Sequence, residues 1–370
     1  MSIWDTFPAD YRSAEVRAIR TAVKAGECVA VVGLSGAGKS NLLGYLAGRP
    51  PGQDQPHDVL VDGNRLTDSS AAGFLRLMRH ALAPDAASRD SMDQQSDALA
   101  SLEVALTLHL ALGVCFLLDL SLLLDRDGRW RDGQGQGLWA NLRALRDRHK
   151  FALTYVVATR HALPHDNELA ELFFGHTIYL GALSEADARW NVERYAARTG
   201  QAWGPEHIAQ MLTVSGRYPA LLRGVCEASA AGAELTPQAL ARHAAIAARL
   251  EEFWADNPSP AELEAARITG LPLLSAARVA AVDTKLLTAK EHRLLLALEA
   301  RGGEVCEKDD LIRAVWPEDQ VFESGVRDDS LAQLVRRLRE KIEADAGRPR
   351  LILTVPGRGY RWSQAKGAVA

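Results

Sequence analysis

The sequence predicts a multidomain α/β chain: a parallel sheet with helices on both faces, then an all-helical stretch, then three helices and a β-hairpin. Three observations predict it. In the first half, short apolar runs at 28–32, 58–61, 114–118 and 151–158 alternate with helical patterns, as parallel strands joined by crossover helices do. From residue 184 the periodicity is helical alone. From Leu287 a compact stretch carries helical stripes and closes on two short extended runs.

Each element has its own reason. Residues 10–25 read as a short helix that stops near Gly26. The run 28–32 is apolar on every position and bounded by glycines, which suits a buried parallel strand. Residues 58–61 give a second strand, and 93–112 a long, mostly apolar helix. The runs 114–118 and 151–158 complete the buried strands. Helices follow at 184–199, 204–214, 219–231 and 236–256, until Asn257-Pro258-Ser259-Pro260 stops the series. Residues 257–286 have weak periodicity and read as a connector with a short helix. The expected organisation is a lead-in (1–26), an α/β core (27–183), a helical segment (184–256), a linker (257–282), a small domain (283–364) and a tail (365–370).

Composition sets limits. With 47% hydrophobic and 24% charged residues over 370 positions, disordered and fibrous classes are excluded. A net charge of −4 argues against a protein that coats nucleic acid along its whole surface, and leaves room for a local basic patch. No apolar run reaches the roughly 18 residues of a membrane span, and the N-terminus has no signal-like core. Cys28, Cys115, Cys226 and Cys306 lie far apart without a CxxC pair. They read as buried thiols in a reducing cytoplasm, the expected location.

Gly33-Leu34-Ser35-Gly36-Ala37-Gly38-Lys39-Ser40 fits GxxxxGK[ST], follows an apolar strand and runs through Asn41 into a helix. That context makes the first domain an α/β P-loop NTPase core. Glycines let backbone N–H groups face phosphate oxygens, and the helix N-terminus favours anions. Lys39 is placed to reach the β- and γ-phosphates of ATP, and Ser40 to ligate Mg²⁺. The strand 114–118 ends in Asp119, the expected carboxylate on the metal side. The next position, where many hydrolysing relatives carry an acid, is Leu120, and the next acid is Asp125. Slow turnover follows as the expectation. Arg160, at the C-terminal end of another strand, is expected to contact the γ-phosphate. His161 and His165 flank Pro164 and are not expected to bind metal.

In order, the loop, the Asp119 strand and the Arg160 strand end resemble the STAND class of P-loop NTPases, signal-transduction ATPases related to origin-recognition and AAA+ proteins. Residues 179–185 resemble that class's passage from strand into a helical lid. Ser215-Gly216-Arg217-Tyr218-Pro219 is similar to its Gly-Gly-x-Pro lid motif, with Arg217 in place of the second glycine. The resemblance implies that Pro219 lies against adenine and that Arg12, after Tyr11, stands on the adenine side. It also implies a lid that closes over ATP, with nucleotide-dependent homo-oligomers.

At the C-terminal end, Thr288 and Glu291 form a capping box, and Leu294, Leu295 and Leu298 a core stripe. A helix follows at 308–316. Another at 329–343 carries Leu331, Leu334, Val335, Leu338 and Ile342 on one face and Ser330, Gln333, Arg336, Arg337 and Arg339 on the other. Strands at 351–355 and 360–362 flank a Pro356–Gly359 turn. This is the order of a winged helix-turn-helix. Over about 75 residues, Leu287-Thr288-x-x-Glu291, 335–339 and 354–361 resemble the winged helices of bacterial two-component response regulators. The resemblance implies double-stranded DNA as partner, with Gln333 and Arg337 on bases, Arg336 and Arg339 on phosphates, and Arg358 at the minor groove. Residues 336–366 hold nine bases against three acids, which fits counterion release from DNA. The expected function is an ATP-binding switch with a DNA-binding winged helix, in transcription regulation or defence-type signalling. The alternatives are a DNA-stimulated ATPase loader, or a scaffold whose winged helix docks a separate effector or sensor protein.

Overall fold

The computed structural model describes residues 3–49, 52, 55–66, 70–84, 98–131, 133, 135, 137–164, 170–173, 175–274, 287–301, 304–316, 324–343, 346–347, 349 and 351–362. The chain forms two compact units. One holds Met1–Gly204, Arg217–Arg223 and Glu251–Pro258; the other holds Pro205–Gly216, Gly224–Leu250 and Ser259–Ala370.

In the first unit, β1 (Val29–Val32), β2 (His57–Asp62), β3 (Val114–Asp119), β4 (Leu153–Thr159) and β5 (Thr177–Tyr179) form one sheet in the order β2-β3-β4-β1-β5. All its pairings are parallel. α1 (Ser13–Lys24) leads into β1, crossovers run through α2 (Lys39–Gly48), α3 (Ala71–Leu82), α4 (Ala98–His109) and α5 (Leu138–His149), and α6 (Glu185–Thr199) follows β5. β1, β3 and β4 are buried at every position, which is why they read as unbroken apolar runs. Phe74, Met78, Leu102, Leu106, Phe116, Leu142 and Tyr155 share one core around the sheet. The helix expected at 93–112 is α4 followed by a short 3₁₀ turn, Leu110–Leu112; residues 93–97 lie outside the described ones.

The order places the site. Val32 pairs with Thr159, and Asp119 with Ala158. The loop after β1, the end of β3 and Arg160 after β4 therefore share one sheet edge, with β4 between the other two strands.

The helical stretch contains α7 (Pro205–Ser215), α8 (Pro219–Ala230), α9 (Pro237–Ala241), α10 (Ala244–Ala255) and α11 (Pro260–Ala265). The single helix expected over 236–256 is two. His243 starts the second: its ring Nδ1 accepts from the Ala245 amide at 3.3 Å, and its carbonyl from Ile246 and Ala247 at 2.9 Å.

Within the second unit, α12 (Ala289–Ala300), β6 (Val305–Glu307), α13 (Lys308–Val315), α14 (Ser324–Ile342), β7 (Ile352–Val355) and β8 (Gly359–Trp362) make the winged helix. Its sheet is antiparallel, β6-β8-β7. β6 was not anticipated: three residues are too few to show alternation. Leu294, Leu298, Leu311, Leu331, Leu338, Ile352 and Trp362 form its core. Thr288 and Glu291 make the expected capping box, and Lys341 reaches Glu291 at 2.6 Å, tying α14 to α12. None of the four cysteines is in a disulfide, and all four are buried. Among the described residues no helix is long and apolar enough to cross a membrane.

Candidate nucleotide site and nucleic-acid interface

The loop leaves β1 at Gly33 and enters α2 at Lys39. Gly36 (φ 80°) and Gly38 (φ 89°) adopt left-handed backbone that β-carbons oppose. A Cβ at Gly36 would also strike Ala220. Ala37 and Ser35 are buried within the loop, and Asn41 is exposed in the first turn of α2.

Lys39 is buried, and its Nζ donates to the Gly33 carbonyl at 2.5 Å and to that of Leu34 at 3.2 Å. Burial lowers its pKa to about 8, against the opposing pull of Asp119. The Ser40 hydroxyl donates to Asp119 Oδ2 at 2.6 Å, and Asp119 Oδ1 accepts from the Ser121 amide at 3.1 Å. So β1 and β3, two strands apart in the sheet, bring the hydroxyl and the carboxylate together. Among the described residues, the Ser35 and Ser121 hydroxyls are buried without a hydrogen-bond partner. Hard oxygen donors with unused polar capacity beside them fit Mg²⁺ and phosphate.

Leu120 does not face this cluster. It is fully buried in the sheet core, so the position after Asp119 is a packing position. Asp125 Oδ1 accepts from the Asp127 and Arg129 amides and caps a turn.

Arg160 does not stand free for a phosphate. It pairs with Asp256 Oδ1 at 2.5 Å, while Asp256 Oδ2 accepts from the Ser35 amide at 2.6 Å. Arg12 is buried against the loop. Its Nη2 donates to the carbonyls of Ala37 (2.9 Å) and Gly181 (3.2 Å), and its amide donates to Asp187 at 3.1 Å. The motif around Pro219 also reaches the loop. The Ala220 amide donates to the Gly36 carbonyl at 3.1 Å, and Tyr218 Oη to that of Ser35 at 2.8 Å. Arg217, at the substituted glycine position, keeps a left-handed backbone (φ 59°).

Sequence reasoning missed Tyr218, Asp187 and Asp256. A faint signal existed for Asp256: it directly follows α10, where the helix dipole disfavours an acid.

On the winged helix, α14 buries Leu331, Leu334, Val335 and Leu338 and exposes Ser330, Gln333, Arg336 and Arg337. Arg336 pairs with Glu340 one turn on at 3.0 Å, and Arg358 with Glu307 at 2.8 Å. Arg339 departs from the expectation of a phosphate contact. It is half-buried, donates to the Ile352 carbonyl (3.1 and 2.6 Å) and to Thr354 Oγ1 (3.0 Å), and lies over Tyr360. Its charge is spent on holding β7 to α14.

Two families match parts of the chain. The family described as "Transcriptional regulatory protein, C terminal" matches residues 283–362. The family described as "ABC transporter" matches residues 16–104, which include the phosphate loop. This is a P-loop NTPase core joined to a response-regulator-type winged helix. Transcriptional regulatory protein AfsQ1 of Streptomyces coelicolor is 43% identical over 75 residues, 20% of this chain and 32% of that protein. Transcriptional activator protein IrlR of Burkholderia pseudomallei is 45% identical over 78 residues, 21% of this chain and 32% of that protein. The chain thus spans about a third of the length of these curated relatives. Among solved structures it is similar to Cdc6p from Pyrobaculum aerophilum, with 13% identity, TM-score 0.45 and coverage of 94% of this chain and 88% of that one. A Walker-type ATPase of Pyrococcus abyssi aligns with 14% identity and TM-score 0.44 over 98% and 97% of the two chains.

Proposed function

We propose that this P-loop NTPase is a DNA-stimulated ATPase of the loader type, its winged helix holding duplex DNA while the core turns over ATP. One observation carries the reading: Lys39, Ser40, Asp119 and Arg160 converge on one sheet edge in a chain whose other module is a DNA-binding type of winged helix. Ser40 and Asp119 would hold Mg²⁺, which supplies charge neutralisation for the transferred phosphoryl group. Lys39 would bind the β- and γ-phosphates, the loop amides would orient the chain of phosphates, and Pro219 and Arg12 would bound the adenine side. On α14, Gln333 and Arg337 would read bases, with Ser330 and Arg336 on the backbone and Arg358 on the wing.

A second reading is an ATP-controlled switch of the STAND kind acting in transcription or defence-type signalling. Leu120 favours it, because a buried leucine cannot orient an attacking water and bound ATP would persist. Nucleotide-dependent homo-oligomers and a separate effector belong to either reading.

The test is steady-state ATP hydrolysis by the full chain with and without duplex DNA, beside Lys39→Ala. Turnover that DNA stimulates and Lys39→Ala abolishes supports the loader. Slow turnover that DNA leaves unchanged, with duplex affinity that differs between ATP and ADP, moves the assignment to the switch. No duplex affinity at low salt replaces both with a docking scaffold.

A further inference from the structure

Asp256 has no counterpart in the sequence motifs, yet it sits on the phosphate loop. Its two oxygens are fully engaged: Oδ2 takes the Ser35 amide at 2.6 Å, and Oδ1 takes Arg160 at 2.5 Å. Its side chain is wholly buried. These are the partners that a terminal phosphate seeks in such a site: a loop N–H and a guanidinium at the sheet edge. Lys39, which is placed to reach the terminal phosphate as well, lies beside Ser35: its Nζ donates to the neighbouring Leu34 carbonyl at 3.2 Å.

The surrounding segment presents the carboxylate deliberately. Asp256 follows the last turn of α10, and Asn257 (φ 48°) then turns left-handed, its amide donating to the Trp254 carbonyl at 2.9 Å. Phe253 packs edge-on against Tyr218 at 5.6 Å between ring centroids, and Tyr218 itself donates to the loop carbonyls. Residues 251–258 and the loop belong to the same compact unit.

We propose that Asp256 is a built-in stand-in for the terminal phosphate, so that a nucleoside triphosphate must expel it and a diphosphate need not. This rests on the reading of residues 33–40 as a nucleotide-binding loop. Two anions cannot share Ser35 N–H and Arg160. The third phosphate therefore takes both donors, and the carboxylate leaves with residues 251–258. Arg160 exchanges one anion for another and stays paired throughout, while Asp256 is the group that moves. The device makes the site respond to the number of phosphates, and it converts that number into the position of the segment that closes α10.

The experiment is calorimetric titration of the full chain with Mg²⁺-ATP and Mg²⁺-ADP in the parent, Asp256→Asn, Asp256→Ala and Lys39→Ala. Removing the competing charge is expected to tighten ATP about ten-fold, the scale of one charge-assisted hydrogen bond, and ADP by less than about two-fold. Hydrogen exchange of residues 251–258 in the parent is expected to rise with ATP and to stay level with ADP. If Lys39→Ala abolishes binding but both Asp256 variants bind ATP as the parent does or more weakly, Asp256 is no competitor and the inference falls. Unchanged exchange at 251–258 on ATP binding overturns it as well. If Lys39→Ala itself binds ATP like the parent, it is the loop assignment that fails.

Discussion

Arg339→Ala separates a structural arginine from a DNA contact. In the winged helix β7 is an edge strand, and the outward groups at its start are taken up by Arg339 of α14 and by Glu343 just beyond that helix. Glu343 accepts from the Leu351 and Ile352 amides at 2.8 and 2.9 Å, and Arg339 donates twice to the Ile352 carbonyl. Truncation to alanine leaves that buried carbonyl short of donors and removes the guanidinium from Tyr360. A charged hydrogen bond is worth about 1.5–3 kcal/mol and a part-exposed cation–π contact about 0.5–1. These terms are not additive, and a loss of about 2–3 kcal/mol is expected. In hydrogen exchange on the full chain, that is about 30- to 150-fold faster opening of residues 351–362, with the loop at 33–40 unaffected. Arg339→Lys keeps one donor and should fall between. If Arg339→Ala leaves exchange at 351–362 within about three-fold of the parent and weakens duplex binding instead, Arg339 is a phosphate contact and the structural argument is wrong.

Arg337→Ala, on the exposed face of α14, should weaken specific duplex binding by about 1–3 kcal/mol in fluorescence anisotropy, with the fold intact; an unchanged affinity for every duplex would make that face a docking surface. ATP affinity should depend on pH through Lys39. Burial holds its pKa at about 8, so the free site loses its cation above that value; affinity should be level below it and fall by up to about ten-fold per pH unit above it, and a flat titration to pH 9.5 would refute this. Glu299 in α12 has a buried Oε1 without a partner among the described residues, and burial pushes its pKa up to about 7. The unfolded chain therefore releases this proton first, and stability is lost as pH rises between about 4.5 and 7. Glu299→Gln should stabilise the winged helix by about 1–2 kcal/mol at pH 8, a figure reduced for partial exposure, and by nothing at pH 4; urea titrations at the two pH values decide it.

Much of this was legible in the sequence because it is local. The phosphate loop is eight consecutive residues whose glycines must turn, and a strand buried on both faces leaves no choice but an apolar run ending at Asp119. The winged helix announced itself through a capping box and a stripe at helical spacing. What stayed hidden depends on partners far along the chain. Asp256 meets Ser35 across 221 positions, and its local mark, an acid just after a helix, does not name that partner. Arg339 looked like its exposed neighbours because helical spacing gives a side chain's direction and omits the strand that waits there. Leu120 was read for its place after Asp119, whereas the strand's alternation sends it into the core. The break at His243 turns on a ring nitrogen accepting a backbone amide, a choice of rotamer that periodicity does not record.

The clamp of α14 on β7 bears on how copies of this chain can meet. Small sheets with an open edge invite a strand from another molecule, the commonest unplanned route to dimers and fibres. Here Arg339 and Glu343 already occupy the outward carbonyl and amides at the start of that edge, in the way a lid covers a socket. Strand addition at that end of the wing would have to break a helix-to-strand clamp before the first new hydrogen bond could form. The same two residues thus guard that edge wherever copies of this chain are held close together.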